Sequence, residues 1–326
     1  MITVDPYAET TFFGWFSVFF SRLLSFDIAD PVLDEIQCCV MGLFALSASV
    51  LGVFLVLKRL TMMTNALSHS MLLGIVVALL LNSHWGEASI IAPPIWAMAM
   101  GAVAVGVLTA FLTEQLTRVR LIKEDASLGI VVAALFALGV TVLSLWTRNA
   151  NVGPELLMGE VDMLDVSDIL LVCVSAVVTV FIGILLLRPL AVAIFDPTFA
   201  LMSRFYPSLL IHLLLIQVAL TSIAAFRAVG FVMTVAFFVI PPLIARLFVH
   251  SVRSLLLLSA IIGVGTVFLA VALGRHLFTV YSLPLSTSAL AAVLLALLYL
   301  FLLGLTECRT CKCSLAARSF KKTVAK

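Results

Sequence analysis

Charged side chains are scarce in this chain. Aspartate, glutamate, lysine and arginine make up 11% of its 326 residues and 63% are hydrophobic, whereas a soluble domain is roughly 25% charged and 45–50% apolar. So little polar surface excludes a water-soluble fold, and the mean hydropathy of +1.25 is that of an integral membrane protein. Several chemical signatures are missing as well. There is no G-x-x-x-x-G-K-[ST] to cradle nucleotide phosphates, no H-E-x-x-H and no G-x-S-x-G. Basic residues sit in short stretches between apolar runs, which excludes a nucleic-acid-binding patch. The opening MITVDPYAET has two acids and no base, the reverse of a secretory n-region, so no cleavable signal peptide is expected. The six cysteines do not make a disulfide framework, because Cys38, Cys39 and Cys173 lie in or beside apolar runs where a small hydrophobe fits.

What the sequence has in abundance is apolar runs of membrane-crossing length. They are continuous, without the alternation of a membrane strand, so their backbone groups must be satisfied within each segment, as helices. The expected fold is an all-α polytopic membrane protein with about nine spans, at 36–57, 63–81, 91–113, 126–147, 166–187, 208–226, 229–248, 254–274 and 284–305. Ahead of them, FFGWFSVFFSRLLSFDI (12–28) is rich in aromatics but holds Arg22, which suits an interfacial helix better than a tenth span. Three regions result: an N-terminal external or interfacial segment (1–35), a transmembrane domain (36–305) and a basic, cysteine-containing tail (306–326).

Basic residues fix an expected orientation. With the loops after spans one, three, five and seven and the C-terminus in the cytoplasm, that side carries Lys58, Arg59, Arg118, Arg120, Lys123, Arg188, Arg204, Arg246, Arg253, Arg309, Lys312, Arg318, Lys321, Lys322 and Lys326. The other side keeps Arg22, Arg148, Arg227 and Arg275, and fifteen against four is a strong positive-inside bias. Acids gather outside, among them Asp27, Asp30, Asp34, Glu35, Glu87, Glu155, Glu160 and Asp162. Either nothing there calls for positive charge, or the acids form a vestibule that concentrates a cation.

Polar groups inside the apolar runs are the candidate functional residues. His69 follows the Lys58-Arg59 boundary by about ten residues, roughly 15 Å at helical rise, which places it near the middle of the bilayer. Asn65, one turn earlier, shares its face, so an amide oxygen and an imidazole can converge on one point, with Ser68 beside them. That donor pair suits a borderline divalent metal; it equally suits an interhelical hydrogen bond that only holds helices together. His212 and Gln217 read as packing contacts, and Glu114 as a partner for Arg118 one turn on. Pro241-Pro242 interrupts a span and frees carbonyls, which either line a cavity or gate, or are simply tolerated.

Six stretches together resemble the permease subunits of ATP-binding-cassette importers for zinc, manganese or iron. They are GVFLVLKRLTMMTNALSHSMLLGI (52–75), KEDASLGIVVAALFALGV (123–140), ELLMGEV (155–161), RPLAVAIFDPTFA (188–200), AVGFVMTVAFFVIPPLIAR (228–246) and LPLSTSAL (283–290), in family order and spacing. The resemblance implies a bundle like the vitamin B12 importer permease, the type II importer fold, in the cell inner membrane with the C-terminus cytoplasmic. It also implies a second permease, homo- or heterodimeric, a cytoplasmic ATP-binding subunit that does the hydrolysis, and a metal-binding solute-binding protein. The chain itself would be no enzyme and would hold no permanent cofactor, only its transported zinc, manganese or iron. The metal route would pass Asn65 and His69, although family members usually carry Asp in a D-A-L-S-H motif where this chain has N-A-L-S-H. Loss of that carboxylate should weaken divalent-cation binding.

The resemblance also implies that IFDPTFA (194–200) is a coupling helix docking on the ATPase through Asp196, Phe199 and Arg204. On its own terms Asp196-Pro197 is a helix start, an N-cap followed by proline at the first position. Glu124 and Asp125 open span four, where they favour the helix dipole or meet metal or ATPase. Cys308, Cys311 and Cys313 form C-x-x-C-x-C, either a soft-metal sensor or part of a plain basic tail against anionic lipid. The alternative function is a self-sufficient secondary metal transporter or metal/H⁺ antiporter, which would need no ATPase.

Overall fold

The computed structural model describes residues 12–25, 32–61, 73–74, 76–78, 80, 95–118, 124–147, 166–203, 206–281 and 285–324. Its helices are α1 (Phe12–Ser25), α2 (Leu33–Lys58), α3 (Ile95–Arg118), α4 (Glu124–Thr147), α5 (Val166–Phe195), α6 (Pro197–Met202), α7 (Pro207–Ala228), α8 (Phe231–Phe248), α9 (Val252–Tyr281) and α10 (Thr287–Val324). Residues 73–74, 76–78 and 80 are helical too, and no strand occurs among the described residues. Among the described residues five helices are long and apolar enough to cross a membrane, and two shorter apolar segments, Leu209–Ser222 and Val232–Phe248, lie among them. Eight of the expected spans coincide with described helices, the one at 63–81 lying largely outside the described residues; α5 and α9 run about two turns past their expected ends, and α10 continues to Val324, making the backbone of the cysteine-bearing tail helical.

Helix α2 is the centre of the molecule, its side chains buried along most of the length from Val40 to Val56. Polar contacts set its register. At its start Asp34 lies 3.6 Å from Arg275 of α9, and further along Ser49 donates to the Ser259 carbonyl at 3.2 Å, so α2 and α9 run antiparallel. Glu35 accepts from the Val32 N–H at 3.3 Å, satisfying one of the orphan donors at the helix start. At the far end Arg59 takes the left-handed conformation (φ 63°), its N–H bonding to Val56 and that of Leu60 to Leu55. This is the Schellman stop, here made with arginine rather than glycine.

Helix α1, at 14 residues, spans about 21 Å, short of a roughly 30 Å hydrocarbon core. It is docked on the bundle. Trp15 and Phe19 are buried and stacked, Phe19 meets Phe268 of α9 edge-on, and the Trp15 indole donates to Asp34 at 3.2 Å. Arg22, the residue that spoke against a span, reaches Glu35 at 2.7 Å.

The interior is divided unequally. One large apolar core joins α1, α2 and α5 to α10, with α4 entering it at Leu128. Helices α3 and α4 meet Leu73 and Val76 in two small clusters, Leu73, Val105, Val131 and Leu135 in one and Val76 with Leu143 in the other. Outward faces are apolar, as on α5 at Leu170, Val174, Val177, Phe181 and Ile184, which suits contact with lipid.

Candidate functional site

The prolines of α8 lie at the tightest helix crossing described. Pro242 has no N–H to offer the Phe238 carbonyl four residues earlier. That oxygen is turned onto Gly52 of α2, where a Cβ would stand 2.1 Å from it and 2.9 Å from the Pro242 ring. A glycine Cα–H therefore faces the carbonyl that the proline released, a weak but recurrent interhelical contact. Phe44, Phe54, Phe237 and Phe238 fill the space around it and are fully buried. The freed Phe238 carbonyl thus serves packing and does not line a cavity.

Between α5 and α7 lies the short α6. The Asp196 carboxylate accepts from the Phe199 N–H at 3.0 Å and from the Thr198 hydroxyl at 2.6 Å. These bonds, the Thr198 hydroxyl first, hold its pKa below the ordinary carboxylate value. Ala200 is buried beneath the turn, while Phe195, Phe199, Leu201, Met202 and Tyr206 are exposed. A capped helical turn thus presents a cluster of large apolar and aromatic side chains between two long helices.

Polar groups within the helices pair across them. Gln217 of α7 donates to Thr179 of α5 at 2.7 Å, and Thr179 meets Thr221 at 3.0 Å. On α3, Thr109, Thr113 and Thr117 each donate back to the carbonyl four residues earlier, and Thr117 reaches Ser127 of α4 at 2.8 Å. Glu114 of α3 faces His212 of α7 across 3.7 Å, each side chain a little over 40% exposed. No group of three or more His, Cys, Asp or Glu able to hold a metal occurs among the described residues.

Residues 36–306, nearly the whole of the helical bundle, match the ABC 3 transport family. The chain belongs to that family. As a member of the ABC 3 family it is 35% identical, over 91% of its length and 90% of the relative's, to a probable metal transport system membrane protein of Chlamydia pneumoniae. It is 34% identical to the manganese transport system membrane protein MntD of Bacillus subtilis, over 68% of this chain and 76% of that one. Its fold is similar to that of PsaBC from Streptococcus pneumoniae, with a TM-score of 0.70 at 20% identity, covering 88% of this chain and 94% of that one. The multi-pass, type II permease architecture expected from the sequence is therefore the fold of this ABC 3 member.

Of the candidate site residues, Asn65, His69 and Arg204 lie outside the described residues, as do Ser68 and the ELLMGEV stretch. Four and five residues after His69 in sequence, Leu73 and Gly74 are wedged between α3 and α4: a Cβ on Gly101 would stand 2.3 Å from the Gly74 carbonyl, and one on Gly139 3.1 Å from the Leu73 nitrogen. Asp196 and Phe199 are placed together, the first shaping the turn and the second displayed by it. Gln217 makes the packing contact expected of it. The spacing rule offered Glu114 only a partner one turn away, and the structure adds an imidazole 98 residues on. A carboxylate and a histidine each alone in an apolar helix were the available signal.

Proposed function

We propose that this ABC 3 family protein is the membrane-spanning permease of an ATP-driven importer that carries a divalent transition metal into the cytoplasm. The observation that carries the reading is the family match over 36–306, with relatives named for metal and for manganese transport at about one-third identity. Region 36–305 is the permease body, with 1–35 on the outer side and the tail in the cytoplasm, in keeping with the fifteen-to-four bias of basic residues. Without a nucleotide-binding motif of its own, the permease takes its energy from a separate ATPase. A second permease completes the core, and a solute-binding protein delivers the metal.

Asn65 and His69 line the metal path at mid-membrane, and Asp196, Phe199 and Arg204 couple it to the ATPase. The exposed apolar cluster on α6 supports the coupling role, since a shape-fixing cap beneath displayed aromatic groups is suited to a groove on a soluble partner. Reconstitution of the permease with its ATPase in proteoliposomes tests the whole reading. ATP should drive uptake of manganese or zinc. Uptake by the chain alone on a pH or ion gradient would establish the secondary-transporter alternative instead. Within the complex, His69→Ala should abolish uptake with assembly intact, and Asn65→Asp should keep or tighten metal binding; normal transport by His69→Ala would remove that residue from the path.

A further inference from the structure

We propose that Cys39 and Cys173 form a redox-responsive thiol pair at the outer end of the seam between α2 and α5, which closes into an interhelical disulfide by exchange with a small external disulfide. The inference rests on the orientation proposed above. Between Asp34 and Lys58 every residue of α2 is buried or half-buried except Cys39, which is exposed. The central helix thus leaves open the one position whose side chain exchanges with disulfides.

Register brings a second thiol beside it. Gly183 of α5 packs on Val50 of α2, where a Cβ would stand 2.6 Å from Val50 Cγ1. Both helices start on the outer side, so they run parallel through that crossing. Cys39 lies 11 residues before Val50 and Cys173 lies 10 before Gly183, about 16.5 and 15 Å outward at helical rise. Eleven residues make about three turns, so Cys39 shares the face of α2 that Val50 turns to α5. Each cysteine also follows an aspartate by five residues, Asp34 and Asp168, which sets the two at one depth. The thiols interact electrostatically. Cys173 stands at the rim of the seam, half-buried between buried Val172 and exposed Val174.

The site has room and access. A Cβ on Gly42, one turn beyond Cys39, would meet nothing within 4 Å, so the space beside the exposed thiol is open and its sulfur can turn. Five residues from an aspartate is about 7.5 Å, close to the thickness of the interfacial layer outside the hydrocarbon core. The pair therefore sits at the depth where headgroups and water end, on the oxidising side of the membrane. Cys38, next in the chain, is buried in the large core and has no such access.

The exchange balances. The Cys39 thiolate attacks one sulfur of the external disulfide, forming a mixed disulfide and expelling a thiolate; the Cys173 thiolate then attacks the Cys39 sulfur and expels the other. The protons lost by the two cysteines end on the two released thiols, so the external disulfide is reduced as the pair is oxidised. The new bond joins residues 134 apart in the chain, a closure that restricts the unfolded state.

The test treats the full permease in nanodiscs with oxidised glutathione, alkylates the remaining thiols and maps peptides by mass spectrometry. A peptide containing Cys39 should be found linked to one containing Cys173, and dithiothreitol should abolish the link. Cys39→Ser and Cys173→Ser should each remove it, and Cys38→Ala should keep it. Oxidised wild type should unfold no less than about 4 °C above the reduced protein, with no such difference in either serine variant. Absence of the linked peptide, or a link that survives Cys39→Ser, would overturn the proposal. Spheroplasts treated from outside with the same oxidant, which does not cross the membrane, test the orientation separately: a link formed in nanodiscs but not there would overturn the outward placement.

Discussion

Gly52→Ala is the sharpest perturbation the structure offers. The added methyl would stand 2.1 Å from the Phe238 carbonyl oxygen and 2.9 Å from Pro242 Cγ, where ordinary contact begins at 3.4 Å. The obstacle is backbone on one side and a proline ring on the other, so no rotamer change relieves it. Helices α2 and α8 must part by more than an ångström, opening the contacts of Val53, Phe54, Phe237 and Phe238, all fully buried. Overpacking usually costs about 1–3 kcal/mol, and a backbone clash at a helix crossing belongs at the upper end, about 3 kcal/mol. Thermal unfolding of the detergent-purified protein should fall by about 5 °C. Gly129→Ala is the control, since a Cβ on that residue of α4 meets nothing within 4 Å; its midpoint should hold or rise slightly. Equal midpoints for the two variants would refute the idea that the proline-released carbonyl is seated on α2.

Three further outcomes are expected. Phe199→Ala should lower substrate-stimulated ATP hydrolysis without altering expression, and unchanged stimulation would detach α6 from the ATPase. Asp196→Asn should retain the cap and Asp196→Ala lose it; because the folded pKa is depressed, the cap persists above the ordinary carboxylate range and is lost as pH falls through the lowered value, which coupling measured against pH would report. Arg275→Met takes the cation from beside the Asp34 carboxylate, only 4% exposed, and leaves it the Trp15 indole; it should cost up to about 3 kcal/mol, largely recovered by adding Asp34→Asn; no recovery in the double variant would show that the ion pair is not what holds that end together.

The class of fold was legible because lipid imposes it: long apolar runs, basic punctuation at Lys58 and Arg118, and the Asp196-Pro197 helix start are local signals, and the helices begin and end close to them. What sequence could not carry was which helix each special residue faces. Pro242 announces a freed carbonyl, but only the crossing with Gly52 decides that it is packed and not open. Glu114 has an evident neighbour one turn away, while His212 comes near only because α3 and α7 lie antiparallel. Trp15 and Asp34 are likewise joined by tertiary docking of α1, to which composition is blind.

The unequal interior bears on how such a molecule can work. Helices α1, α2 and α5 to α10 share one large core around α2, which α4 enters through Leu128 and Val132, whereas α3 and α4 hold residues 73, 76, 77 and 80 through a handful of buried side chains. Separating surfaces costs free energy in proportion to the apolar area they cover, so the two parts are not equally stiff. The large core is a keel; the smaller panel, next in the chain to His69 and carrying Glu114 on its flank, is the plank that can rock.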